Sequence, residues 1–272
     1  MRVRQLPRGA EDGYGSSLLP GLGSSEDADR LAVELAFAAC RLRELELDPP
    51  DLLAEVADPT GDLEERTWLA FLIAYLCPLD EEQPFASIEA ARTLWASGRA
   101  PELDGVRTGP RGAYEPGRAP ATIAAYRAWA ARAGSQAIAF SGEAEWAPER
   151  RFGRVFERLA LPGMHRDTRF ELLVLLGRLG CYEMRAGSLA LGGADQVTLA
   201  AKRALGIGDT VLLERRAAEL AQACGVPLEA LDLGLHNWGM GVRCGLGVPV
   251  QTEPDESVLA AARNALGLPQ RD

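Results

Sequence analysis

Lysine is nearly missing from this chain: Lys202 is the only one among 29 basic residues, a skew toward arginine that reflects coding composition rather than chemistry. The five cysteines, 40, 77, 181, 224 and 244, contain no CxxC pair, and there are only two histidines. No spacing suits a metal, so no metal and no cofactor is expected, and the thiols read as reduced and structural. No apolar run follows a basic start, and no stretch of about eighteen uncharged apolar residues occurs, so neither secretion nor membrane insertion is indicated and a cytoplasmic protein is expected. Positive charge is scarce as well. With a net charge of −10 and a pI near 4.9, the chain as a whole is poorly suited to long-range attraction to a polyanion, which rests on Lys and Arg neutralising phosphates.

Apolar material is plentiful. In 272 residues, 47% hydrophobic content supports a sizeable core, in one large domain or two closely packed ones. Residues 1–27, rich in glycine and serine, read as a flexible arm, and residues 245–272 as a tail with one short helix near Ser257 to Leu266. Between them, 28–244 shows helical periodicity almost throughout. A first helix runs from Asp29 to the Pro49-Pro50 stop. A second follows Asp62, where Glu65 completes a capping-box pattern ahead of the most hydrophobic run in the chain, which belongs in the core. A shorter helix is expected around Ile88 to Ala96. Residues 100–120, with four prolines and four glycines, read as a long loop or hinge. Further helices are expected over Thr122–Ala133, Trp146–Leu159, Arg166–Leu179, Gln196–Leu205, Val211–Cys224 and Leu228–Trp238. No alternating strand pattern appears. The expected class is all-α, with about ten helices in two lobes around a cleft.

Local charge departs from the global balance at residues 148–180, where seven arginines (150, 151, 154, 158, 166, 169 and 178) face four carboxylates, a net of +3 that leaves −13 for the remainder. In their midst Leu161-Pro162-Gly163 forms a tight connection between two amphipathic segments, with His165, Arg166 and Thr168 just beyond it. Such turns present backbone N–H groups to a phosphate. Farther along, Asp195 follows Gly192-Gly193 at the start of a helix, which is also the position of an ordinary N-cap. Lys202 lies two turns on along that helix. Gly206-Ile207-Gly208-Asp209 reads as a helix stop and the next cap.

The stretch ERRFGRVFERLALPGMHRDTRFELLVLLGRLG resembles the helix-hairpin-helix of the DNA glycosylase superfamily that includes endonuclease III-like enzymes. Leu161, Pro162, Gly163 and Thr168 match its LPG-x-G-x-x-T turn, and ADQVTLAAKRALGIG is similar to the family's VDTHVxRVxxRLG segment, with Asp195 on its aspartate. The resemblance implies a DNA partner, contacts to the DNA backbone from Leu161, Pro162, Gly163, His165, Arg166 and Thr168, and a catalytic role for Asp195. In that reading the carboxylate stabilises positive charge on the sugar as the glycosidic bond breaks. His236 and Trp238, in LDLGLHNWGMG near the end of their helix, would border the base pocket in that reading, with Lys202 a further candidate there; read on their own, His236 interacts with the helix C-terminus and Lys202 is a solvated side chain.

Four departures accompany the resemblance. His165 replaces the second hairpin glycine, and Asp167 stands where lyase-type members carry their nucleophilic lysine, which excludes Schiff-base chemistry from that position. The interval from Gly163 to Asp195 is about ten residues long in excess of the pattern. The cysteine cluster that holds iron and sulfur in many members is absent from the sequence. The departures at the hairpin, together with the acidic character of the chain, are similar to the α-glutamyl/putrescinyl thymine pyrophosphorylase-like branch. The non-enzymatic alternative is a helical module that binds nucleic acid or a protein partner through the hairpin and the 148–180 arginines.

Overall fold

Apolar runs without alternation satisfy their backbone groups most simply within helices, and the computed structural model, which describes residues 9–269, contains twelve helices and no strand among those residues. The all-α expectation holds. Contacts divide the chain into two units, one formed by 1–43, 188–243 and 251–272, the other by 44–187 and 244–250. Residues 9–27 of the expected arm and 245–269 of the expected tail fall within these units.

The first unit contains most of α1 (Ser25–Leu47), with α9 (Gln196–Leu205), α10 (Thr210–Cys224), α11 (Leu228–Met240) and α12 (Glu256–Ala265). A side chain on Gly239 would come within 2.8 Å of Ala200, which shows how closely α11 crosses α9. Residues 9–24 are irregular yet anchored. Leu19 and Leu22 are buried, the Gly21 N–H donates to the Ala204 carbonyl at 3.0 Å, and the Tyr14 hydroxyl donates to the Leu266 carbonyl at 2.7 Å. Asp12 accepts from the Ser25 N–H, so a carboxylate from the supposed arm occupies the start of α1, with Oδ1 and Oδ2 at 3.2 and 3.1 Å. Residues 1–8 of that arm lie outside the described residues.

The second unit contains α2 (Leu52–Ala57), α3 (Leu63–Leu76), α4 (Ala86–Ala91), α5 (Ala119–Ala133), α6 (Gln136–Ser141), α7 (Pro148–Arg158) and α8 (Arg166–Arg178). Helix α3 is buried from Arg66 to Leu76 and packs against α2, α4, α6 and α8, as its composition demands. Aromatic rings line its flank, with Phe71 stacked on Tyr126 at 3.9 Å and on Trp68 at 5.1 Å.

The capping box at α3 is only half made. Asp62 accepts from the Glu65 N–H at 3.0 Å, but the Glu65 carboxylate reaches the Trp95 and Ala96 N–H groups at 2.7 and 3.0 Å instead of returning to Asp62. That bond explains why the helix expected to end at Ala96 stops at Ala91: Arg92 is extended, and the next N–H groups find a carboxylate rather than a helical carbonyl. The 100–120 segment is a loop but not a free one. Gly109 and Ala113 donate to the Cys77 and Tyr75 carbonyls, each at 2.9 Å, which straps it along the end of α3.

Candidate functional site

The expected hairpin is present locally as α7, a turn, and α8. Proline presets φ at the second turn position and glycine supplies the left-handed third, so Leu161-Pro162-Gly163-Met164 has the residue pattern of a type II turn. Gly163 sits at φ 76°, and the Met164 N–H closes the turn on the Leu161 carbonyl at 3.0 Å. Pro162 and His165 are exposed and Leu161 and Gly163 half-buried, so the turn presents itself to solvent. Its inner side is tight. A Cβ on Gly163 would lie 2.0 Å from the Thr122 Oγ1 of α5, which makes glycine obligatory here on two counts.

Helix α8 begins immediately beyond, with His165 at the N-cap and no side-chain bond capping it. The imidazole turns outward, 3.9 Å from Glu115. In the first turn, Thr168 is 1% exposed and its Oγ1 has no hydrogen-bond partner among the described residues. A buried hydroxyl without a partner is uncommon and costs stability. Arg166 is buried, pairs with Asp167 at 3.1 Å and lies over the Phe170 ring.

Most of the arginine cluster is structural. Arg151 donates to the Ser141 carbonyl at 2.7 Å and to that of Glu183; Arg169 donates to the Phe156 carbonyl at 3.0 Å while covering its ring; Arg178 pairs with Glu46 at 2.5 Å. Only Arg150, Arg154 and Arg158 are exposed. They recur every four residues along α7 and so share a face that leads to the hairpin. Trp146 supports two of them, with the Arg158 and Arg150 guanidinium groups at 5.2 and 5.7 Å from its ring, while Arg154 pairs with Glu157 at 3.2 Å.

In the other unit, Asp195 is the N-cap of α9 and half-buried. Its Oδ1 accepts from the Thr198 N–H at 2.9 Å and its Oδ2 from the Thr198 hydroxyl at 2.7 Å. The carboxylate is thus held at both oxygens by one fully buried residue. Each oxygen retains a further acceptor position, so capping and chemistry do not exclude each other.

The expected pocket residues are divided by the structure. Trp238 is buried, donates to the Asp27 carbonyl at 2.9 Å and lies under the Arg203 guanidinium; it borders a recess of about 380 Å3 beside Glu34, Asn237 and Arg243. The polar groups of that recess are already joined, since Arg243 and Asn237 both bond Glu34. His236 is 3% exposed within α11 and does not border the recess, and neither does the half-buried Lys202, whose carbonyl closes the end of α9. A second recess, of about 210 Å3, lies at the start of α3 over Trp68, Leu69 and Leu72. Its rim carboxylates are taken up by neighbouring N–H groups and by Arg92.

Sequence reasoning missed Thr122, which packs against the hairpin turn, and Thr198, which holds Asp195. Thr198 had a readable signal, since a threonine three residues after an N-cap aspartate places N–H and hydroxyl together toward the carboxylate. Thr122 had none, being distant in sequence from the turn it touches. Among the described residues no cluster of three or more potential metal ligands occurs, and no helix is long and apolar enough to cross a membrane. No protein-family model, curated protein or solved structure matches the chain.

Proposed function

We propose that this chain is a divergent DNA glycosylase-like protein that acts on a normal or modified base by N-glycosidic chemistry and without lyase activity. The observation that carries the reading is the hairpin: a Pro-Gly turn with a left-handed glycine leads into a helix start that no side chain caps, beside a buried Thr168 hydroxyl without a partner. A phosphate oxygen suits the exposed turn and the uncapped helix start, where the helix dipole favours an anion, while the Thr168 hydroxyl behind them is sealed from solvent. The exposed Arg150, Arg154 and Arg158 face adds the local positive charge that the acidic remainder of the chain withholds. Asp195 supports the reading independently. A fixed carboxylate stabilises an oxocarbenium-like sugar or orients water toward it, and Thr198 holds this one in a single orientation.

Base release from duplex DNA carrying single damaged or modified bases tests the reading. Asp195→Asn is expected to abolish release while leaving DNA binding intact, and unchanged turnover in that variant refutes the catalytic assignment. The arginine face of α7 favours one alternative, a non-catalytic module that binds nucleic acid. Binding that weakens steeply with salt, with no base released from any such substrate, selects the module; no binding at low salt refutes both.

A further inference from the structure

Three helices of this chain, α9, α10 and α11, end on a glycine in the left-handed region, at φ 65°, 67° and 66°. Helix α3 ends instead on Cys77, whose φ is also positive, at 60°, but whose ψ is 126°; a Cβ is strained at that φ and glycine is the unstrained choice. The strained residue bears a buried thiol that donates to the Pro78 carbonyl at 3.5 Å and lies beside the buried thiol of Cys244.

Both backbones are anchored. The Cys77 carbonyl accepts from Gly109 at 2.9 Å, and a side chain on Gly109 would fall 2.6 Å from the Cys77 sulfur. Next to Cys244, the Gly245 N–H donates to Asp80 at 2.9 Å, three residues past Cys77, and Gly247 lies against the Phe85 ring. The 244–250 turn is therefore held beside the end of α3.

We propose that Cys77 and Cys244 are a redox pair, closing to a disulfide when hydrogen peroxide removes two electrons from them. One thiolate attacks a peroxide oxygen; the O–O bond breaks, and the departing hydroxide takes a proton to leave as water. The second thiol displaces hydroxyl from the resulting sulfenic acid, the S–S bond forms, and a second water leaves. Two thiols and one peroxide give one disulfide and two waters. The Cys244 thiol and then burial push the Cys77 thiol well above its ordinary value, so attack requires transient opening of the turn and the pair closes slowly. Once closed, the bond holds the 244–250 turn to α3.

The reduced full chain treated with hydrogen peroxide, denatured in an alkylating agent and digested without reductant tests this. Peptides containing Cys77 and Cys244 are expected to be joined, with Cys40, Cys181 and Cys224 alkylated. The thermal midpoint should rise by several degrees and fall back on reduction. Cys244→Ala should show neither effect, and Cys77→Gly should lose the linkage yet be at least as stable as the reduced parent, because glycine relieves the left-handed strain. Oxidation in denaturant should join no pair selectively. Recovery of Cys77 and Cys244 in alkylated form after oxidation of the folded protein overturns the proposal, as does a linkage equally favoured in the denatured chain.

Discussion

Replacing Gly163 with alanine tests whether the hairpin turn is as constrained as its geometry states. Two costs add. An alanine at φ 76° is in the left-handed region, worth about 1–2 kcal/mol against an L-residue. Its Cβ would also lie 2.0 Å from the Thr122 Oγ1, 3.1 Å from the Thr122 Cβ and 3.2 Å from its Cγ2, and inserting a methyl group into packed surroundings costs about 1–3 kcal/mol. Gly163→Ala is therefore expected to destabilise the protein by about 2–5 kcal/mol, a large part of an ordinary stability. Urea unfolding measures this as a shift of the midpoint at constant slope. A double-mutant cycle with Thr122→Ala then separates the terms. That change removes Oγ1 and Cγ2, so the double variant should recover about 1 kcal/mol or more relative to the sum of the singles, leaving the left-handed cost behind. A cost for Gly163→Ala below about 0.5 kcal/mol, or one that Thr122→Ala leaves unchanged, refutes the account.

Thr168→Val removes a buried hydroxyl that has no partner among the described residues, so urea unfolding should show unchanged or slightly raised stability, by up to about 1 kcal/mol. A clear loss of stability instead would mean that the hydroxyl has a protein partner. At α12, the Ser257 hydroxyl, then backbone N–H groups and Arg43, hold Asp255 down at about 2, from an ordinary 3.8. A carboxylate depressed in the folded state stabilises it above the unfolded value and loses that effect as pH falls through the folded value. The gap in unfolding free energy between the parent and Asp255→Ala, about 1 kcal/mol for an aspartate cap, should thus be full at pH 5 and close toward pH 2. A gap constant down to pH 2 contradicts this.

What could be read in the sequence follows from how local its cause is. Helix α3 was legible because its cap and its apolar run are contiguous, and α9 to α12 because aspartate, glycine and proline punctuate them. The six-residue helices α2 and α6 escaped notice: so short a run shows less than two turns of periodicity, even though Ser135 caps α6 by accepting from Ile138 at 3.1 Å. The half-made capping box illustrates the converse. Glu65 has the correct spacing from Asp62, but a turn thirty residues away competes for its carboxylate and wins both oxygens.

The arginines were the least legible part of the candidate site. Seven identical letters suggested a basic footprint, yet burial assigns Arg151 and Arg166 to the interior and a backbone carbonyl holds Arg169. Arg151 reaches carbonyls ten residues before it and thirty-two after it, and no periodicity encodes such partners. What burial leaves exposed in that cluster is three guanidinium groups on one helix face, of which Arg154 is paired with Glu157. Their spacing is helical, so α7 alone distinguishes Arg150, Arg154 and Arg158 from Arg151.

Asp195 is the residue on which fold and function are hardest to separate, and the choice of substitution resolves this. Alanine would remove the charge and the cap together, so lost activity could mean only a frayed α9. Asparagine retains the cap: its carbonyl oxygen still accepts from the Thr198 N–H, and its amide can donate to the Thr198 hydroxyl, which accepts as readily as it donates. Asp195→Asn should therefore unfold within about 0.5 kcal/mol of the parent while losing the negative charge that an oxocarbenium-like sugar needs. Thr198→Val completes the argument by leaving the charge and removing one of the two bonds that orient it. If the carboxylate acts by position, base release should fall in both variants, and further in asparagine; if Asp195 only caps α9, asparagine should match the parent in stability and in turnover alike.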